Sequence, residues 1–264
     1  VLGIIEGLTE FLPISSTGHM VIAMPLMGIR ASATPWNVLL WVSQFGAILA
    51  VVVYFWRDLW NRTLGPGRGG WRGHLLTKLL VAMIPTVLVG LPLKRVLDPL
   101  EESPVATAVA LIVGAGAIWY IDRRFRRAVR MTLEDVTLGQ AAFIGLIQCV
   151  SIWPGVSRSA ASIMGGMVLG LSPRVATEFS FYLAIPTMLA AAVFRVGTYW
   201  SLMTWQHAAL VTLGTATSFV VALLVVAGFM EYVKRYSFMP FVVYRVILGV
   251  TVLVAAWTMR GETG

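Results

Sequence analysis

The chain has 264 residues, 58% of them hydrophobic and only 12% charged, with a formal net charge of +8 and a mean hydropathy of +0.82. Soluble globular domains carry about a quarter charged residues, so this composition excludes that class and points to an all-α polytopic membrane protein. Runs such as FVVALLVVAGFM do not alternate as barrel strands would, and basic loops between spans, not nucleic-acid binding, account for the positive charge.

The chain opens at Val1 on residues that are already apolar, so a further segment is expected ahead of it, and no cleavable signal is legible. The first stretch, 1–29, is apolar but carries a Pro and a polar cluster at its centre, LPISSTGH. Full spans of roughly 20 apolar residues follow at 37–56, 75–93 and 104–121. A basic linker, 122–138, leads to a second interrupted stretch, 139–172, centred on WPGVSRSAAS. Three further spans, 176–195, 207–230 and 239–259, complete the chain.

Pro removes a helical donor and clashes with the preceding turn, and broken backbone at membrane depth survives only inside protein or beside a water-filled cavity. Both interrupted stretches therefore read as re-entrant helix–loop–helix hairpins beside six crossings. The loop arginines Arg57, Arg62, Arg68, Arg72, Arg123, Arg124, Arg126, Arg127 and Arg130 then share one face with Arg174, Lys234 and Arg235. Only Arg30, Lys94, Arg95, Arg195 and Arg260 take the other, so the first face is cytoplasmic. The first hairpin then dips in from outside and the second from inside. GAILAVVVYFWR after the first and PTMLAAAVFR after the second echo each other. One integral membrane domain is thus expected, an inverted repeat with halves 1–121 and 139–259 whose broken helices form the site.

Glu6 and Glu10 are four residues apart, which on a helix stacks them about 40° apart in direction. Two such carboxylates repel unless a proton or a cation lies between them, and Mg²⁺ or Ca²⁺ takes oxygen ligands of this kind. Ser15, Ser16 and Thr17 precede a helical pattern, as Ser157, Ser159 and Ser162 surround Arg158. Hydroxyls there cap helix N-termini, and the same N-termini attract anions. Capping does not explain an arginine at membrane depth, which calls for an oxyanion partner such as phosphate. The residues alone therefore indicate a metal-assisted site for a phosphorylated or polyanionic lipid-borne ligand.

The motifs EGLTEFLPISSTGH and PGVSRSAAS resemble the signatures of the bacterial undecaprenyl-diphosphate phosphatases, the bacitracin-resistance family, and FWR, TEFSFYLAIP and SFMPFVVYR extend the resemblance over nearly the whole chain. The second motif departs from the family's S-R-S-G-A-T at Ala160 and Ser162. The resemblance implies an enzyme that removes the terminal phosphate of undecaprenyl diphosphate in the plasma membrane, among membrane lipids; the outward-dipping first hairpin puts its site on the outer side, and a homodimer is one open assembly. It implies Glu6 and Glu10 for the divalent cation or a proton, Ser16 as nucleophile, His19 as base or acid, and Arg158 as the diphosphate clamp. Ser15, Thr17, Ser157, Ser159 and Ser162 stand as substrate-binding residues. Exchange of the Ser16 and His19 roles, or attack by water with His19 or Glu10 as base, stays open. The alternative is a secondary transporter or flippase of polyprenyl phosphates, which would need no nucleophile beside a carboxylate pair. The acid-phosphatase lipid phosphatases are excluded, because His207 lacks an Asp four residues on.

Other polar residues have plainer readings. Gln44 and Glu178 orient the site or cap helices, and Arg245 pairs with Glu178 or holds phosphate. His74 and His207 are interfacial, while Trp56, Trp200 and Trp205 anchor span ends. The single cysteine, Cys149, excludes an internal disulfide and reads as a small packing residue.

Overall fold

Long Leu-, Val- and Ala-rich stretches satisfy their own backbone polar groups in lipid only as helices. The computed structural model, which describes residues 1–29, 34–64, 70–100, 103–126, 132–199 and 205–261, has no strand among them. The helices are α1 (Leu2–Thr9), α2 (Ser16–Leu26), α3 (Thr34–Tyr54), α4 (Trp56–Leu64), α5 (Leu75–Leu97) and α6 (Pro104–Phe125). After them come α7 (Leu138–Gln148), α8 (Arg158–Val168), α9 (Pro173–Tyr199), α10 (Trp205–Arg235) and α11 (Met239–Gly261). Each expected span has its helix. Five of the described helices are long and apolar enough to cross a membrane, and the bent pair α3–α4 brings the number to six if it forms one span.

The bend is one feature that periodicity did not reveal. The chain turns by 73° between α3 and α4, and α4 carries Trp56 and Trp60 with ring centroids 5.7 Å apart, both exposed. Exposed Trp beside Arg57 suits an interfacial helix. Arg30, Arg68, Arg127, Arg130, Trp200 and the side chains of Arg72, Arg195, Trp205, His207 and Arg260 lie outside the described residues.

Both interrupted stretches fold as helix–loop–helix hairpins, α1–α2 and α7–α8, the latter with a 3-10 turn at Cys149–Ile152. Their packing is reciprocal: α1 lies against α10, in the second half of the chain, and α7 lies against α5, in the first. Without a hydrophobic force between helices in lipid, such pairs associate through close backbone approach at small residues. On α1, a side chain at Gly3 or Gly7 would strike the backbone of Gly214 or Ser218, and one at Gly145 on α7 would strike the Ala82 carbonyl. Both α2 and α8 pack on α6, and α11 packs on α6 as well. A buried aromatic chain, Phe11–Phe181–Phe55–Tyr182, fills the space between the first hairpin, α3 and α9.

The basic end is tied down by polar contacts. Lys78 is buried, and its Nζ donates to the carbonyls of Leu133 at 2.9 Å and Glu134 at 2.7 Å. Arg62 pairs with Glu134. Asp122 accepts from Arg126 at 2.7 Å and from the Phe238 N–H at 3.0 Å, holding the start of α11.

Gly145→Val would drive its branch into the α5 backbone, and overpacking of this kind costs about 1–3 kcal/mol. The expected result is a lower melting midpoint in detergent, whereas Gly116→Ala, which faces open space, should leave the midpoint unchanged.

Candidate active site

The site begins with two serines in a backbone conformation that a side chain disfavours. Ser15 and Ser157, the N-caps of α2 and α8, have φ of 73° and 77°, and they are the positive-φ residues other than glycine among those described. Such strain costs on the order of 1–3 kcal/mol and persists only when surroundings over-determine it. Here the surroundings are explicit. The Gly18 N–H donates to Ser15 Oγ at 3.2 Å and the Ala160 N–H to Ser157 Oγ at 3.3 Å. His19 Nδ1 donates to the Ser15 carbonyl at 2.7 Å.

Arg245 holds the two loops together. It is fully buried, and its guanidinium makes five hydrogen bonds, all to backbone carbonyls: Leu111, Pro13, Val156, Ala110 and Gly155, at 3.1–3.2 Å. Gly114 on α6 leaves the room this head group occupies, since a methyl there would collide with it. The expectation that Arg245 pairs with Glu178 or holds phosphate is therefore corrected. Its donors are committed to the loops, while Glu178 accepts from the Tyr182 hydroxyl at 3.4 Å. The Pro13, Gly155 and Val156 carbonyls lie in the two hairpin loops, outside the helical ladders, and the guanidinium supplies donors to both loops.

Against this frame the carboxylate of Glu10, at the end of α1, bridges the hairpins. Ser16 Oγ donates to Glu10 Oε2 at 2.5 Å, and Arg158 Nη2 meets Glu10 Oε1 at 3.2 Å. Arg158 also donates to the Ser180 carbonyl at 3.3 Å and lies over the Phe11 ring, 5.6 Å from its centroid. Glu10, Ser15, Ser16, Thr17, Ser157 and Arg158 line one cavity of about 170 Å³, together with Gln44, Ser151, Gly155 and Met188. The N-termini of α2 and α8 belong to this cavity, so amide dipoles, a guanidinium and hydroxyls share one small polar space.

The other expected residues surround it. Glu6 sits one turn before Glu10, buried, and its Oε1 has no hydrogen-bond partner. Ser159 Oγ donates to the Leu12 carbonyl at 2.8 Å and joins the hairpins. Ser162 Oγ lies 2.6 Å from Ser180 Oγ and donates to the Arg158 carbonyl at 2.8 Å, bracing the helix behind the arginine. His19 does not touch Ser16: its Nε2 is 2.5 Å from the Tyr244 hydroxyl. Glu178 is not in the cavity lining, whereas Gln44 is. Cys149 is buried against the carbonyls of Pro85 and Gly145 at 3.5 Å, as a packing residue would be.

No three His, Cys, Asp or Glu side chains converge among the described residues, so a cation here would rest on the carboxylate pair. The unpartnered oxygen of Glu6 beside Glu10 fits a hard divalent ion whose other ligands are water or phosphate oxygens.

Sequence reasoning missed Tyr244, Ser180, Phe11, Met188 and Ser151 at the site. Arg245 did carry a signal, a charge within an apolar span, but loop carbonyls as its partners leave no trace in a sequence.

Residues 1–251 match the family model described as bacitracin resistance protein BacA. The chain is 43% identical to an undecaprenyl-diphosphatase of Novosphingobium aromaticivorans, over 96% of this chain and 95% of that protein. It is 40% identical to one of Bdellovibrio bacteriovorus, over 98% and 95%, and 42% identical to one of Caldanaerobacter subterraneus subsp. tengcongensis, over 96% and 93%.

Arg245→Met would leave buried loop carbonyls unpaired, each costing about 1–3 kcal/mol. The expected outcome is a large drop in melting midpoint in detergent, with new protease cleavage in 10–15 and 153–157.

Proposed function

The chain belongs to the bacitracin resistance protein BacA family, and we infer from this that it hydrolyses undecaprenyl diphosphate to undecaprenyl phosphate and inorganic phosphate. It is a multi-pass membrane protein, and its reaction returns the lipid carrier to cell-wall synthesis and opposes bacitracin. The names of its relatives are those of hydrolases, and nothing among them favours a transporter.

One observation carries the assignment of roles: the Glu10 carboxylate lies between the Ser16 hydroxyl and the Arg158 guanidinium at the mouth of a polar cavity. In the proposed mechanism the terminal phosphate enters against Arg158, Thr17 and the N-termini of α2 and α8, whose fixed dipoles receive its charge without reorganisation. Glu10 takes the Ser16 proton as Oγ attacks the terminal phosphorus. The Ser16 O–P bond forms, the bridging P–O bond breaks, and undecaprenyl phosphate leaves with the electron pair. Water then forms a new O–P bond as the bond to Ser16 Oγ breaks, Glu10 returns its proton to Oγ, and inorganic phosphate departs with the two protons of the water. Mg²⁺ or Ca²⁺ held by Glu6 and Glu10 would supply charge neutralisation of the diphosphate. Ser15, Ser157, Ser159 and Ser162 keep the two loops in register. His19 supports the Ser15 turn; the engagement of both its ring nitrogens by Ser15 and Tyr244 favours Glu10 as the base.

The same proposal gives six crossings, with α3–α4 as the bent one, and two re-entrant hairpins in an inverted repeat. Reciprocal packing of α1 on α10 and α7 on α5 supports the repeat. The basic ends supply the orientation, so that the site opens to the outer face.

Phosphate release by the purified protein should fall at least about 100-fold in Ser16→Ala and Glu10→Gln, and chelator should abolish it. Full activity in Ser16→Ala would sink the nucleophile. Thr17→Cys should react with an impermeant maleimide from outside intact cells, and reaction from the cytoplasmic side alone would reverse the orientation.

A further inference from the structure

We propose that Tyr244 is a positioning residue for this reaction: its hydroxyl fixes the His19 ring, and through that ring the strained Ser15 turn that presents Ser16 to Glu10. The proposal rests on the diphosphatase reading above.

The hydrogen-bond directions follow from the chemistry of the atoms. A carbonyl only accepts, so the 2.7 Å contact with Ser15 O puts the proton on His19 Nδ1. In the neutral ring Nε2 is then the acceptor, and the Tyr244 hydroxyl donates to it at 2.5 Å. The two rings are parallel to within 7°, with centroids 5.5 Å apart. Each ring nitrogen of His19 is thereby engaged, and neither faces Ser16.

The bond to the Ser15 carbonyl matters because Ser15 has φ of 73°. A peptide in that region is held by its partners, and His19 is one of them. The next residue is Ser16, whose hydroxyl reaches Glu10 at 2.5 Å. Tyr244 in turn stands on a fixed element. Its neighbour Arg245 is bonded to Pro13 on the first loop and to Gly155 and Val156 on the second. The tyrosine is 41% exposed, so its hydroxyl is not there to satisfy a sealed core. The sequence Tyr244–His19–Ser15–Ser16–Glu10 is thus a continuous set of contacts from α11 to the reacting hydroxyl.

The test uses the full chain purified in detergent, with undecaprenyl diphosphate as substrate. Tyr244→Phe keeps the ring and removes one hydrogen bond, so kcat should fall about tenfold with KM within about twofold. In a His19→Gln background the same substitution should cause no further fall. The chain has three histidines, so ¹⁵N-histidine labelling with His19→Gln as the assignment control isolates the His19 signals. In the wild type these should report the Nδ1–H form, and the Nε2 resonance should move in Tyr244→Phe. Full kcat in Tyr244→Phe, an equal fall in the His19→Gln background, or an Nε2–H form in the wild type would overturn the proposal. Absence of phosphate release from the wild type would instead defeat the diphosphatase reading, and the His19 resonances would still decide the Tyr244 contact.

Discussion

The fold depends on one buried cation with no carboxylate among its hydrogen-bond partners. Arg245 gives all five of its hydrogen bonds to backbone carbonyls, from α6 and from both hairpin loops. An unpaired charge in an apolar interior is costly, and so is a buried loop carbonyl left without a donor. Here each problem is the solution to the other. The loops solvate the guanidinium, and the guanidinium pairs carbonyls of both buried loops. Gly114 provides the space, so the absence of a side chain on α6 is as much a part of the site as Arg245 itself.

Once the loops are pinned, the chemistry of the cavity is arranged by very few further contacts. Glu10 reaches Ser16 with one oxygen and Arg158 with the other. Before substrate arrives, the arginine is therefore compensated by an internal carboxylate instead of standing as a bare charge. In the proposed mechanism an incoming diphosphate is a richer oxyanion partner for that guanidinium, and its arrival frees the carboxylate to act on the serine. The strain at Ser15 and Ser157 belongs to the same economy of parts. Each turn points a helix N-terminus at the place where phosphate charge must be received.

How much of this was legible in the sequence follows from what each residue bonds to. Spans and hairpins were readable because lipid imposes a length on apolar runs and because Pro13 and Pro154 interrupt two of them. Glu6, Glu10 and Arg158 were readable as charges where none should be. The partners of Arg245 and Lys78 were not, since both donate to main-chain oxygens, and every residue has one. Tyr244 was invisible for a different reason: a tyrosine in an apolar span resembles any other interfacial aromatic until the fold sets it against His19. The 73° bend after Tyr54 escaped notice because the apolar run ends abruptly at Trp56, and Arg57 and Asp58 beyond it read as a loop and not as a further helix.

The exchange of partners between halves has a consequence for how the protein is made. Helix α1 leaves the ribosome long before α10, against which it packs. Arg245, which both loops require, arrives later still, on α11. Domains made mostly of local contacts assemble as they emerge, but this site is closed by its most distant ones. A chain interrupted during translation would hold Ser16, Glu10 and Arg158 without the residue that aligns them. Such fragments would be inert towards the lipid carrier, and activity would appear only once α11 has joined the membrane-embedded bundle.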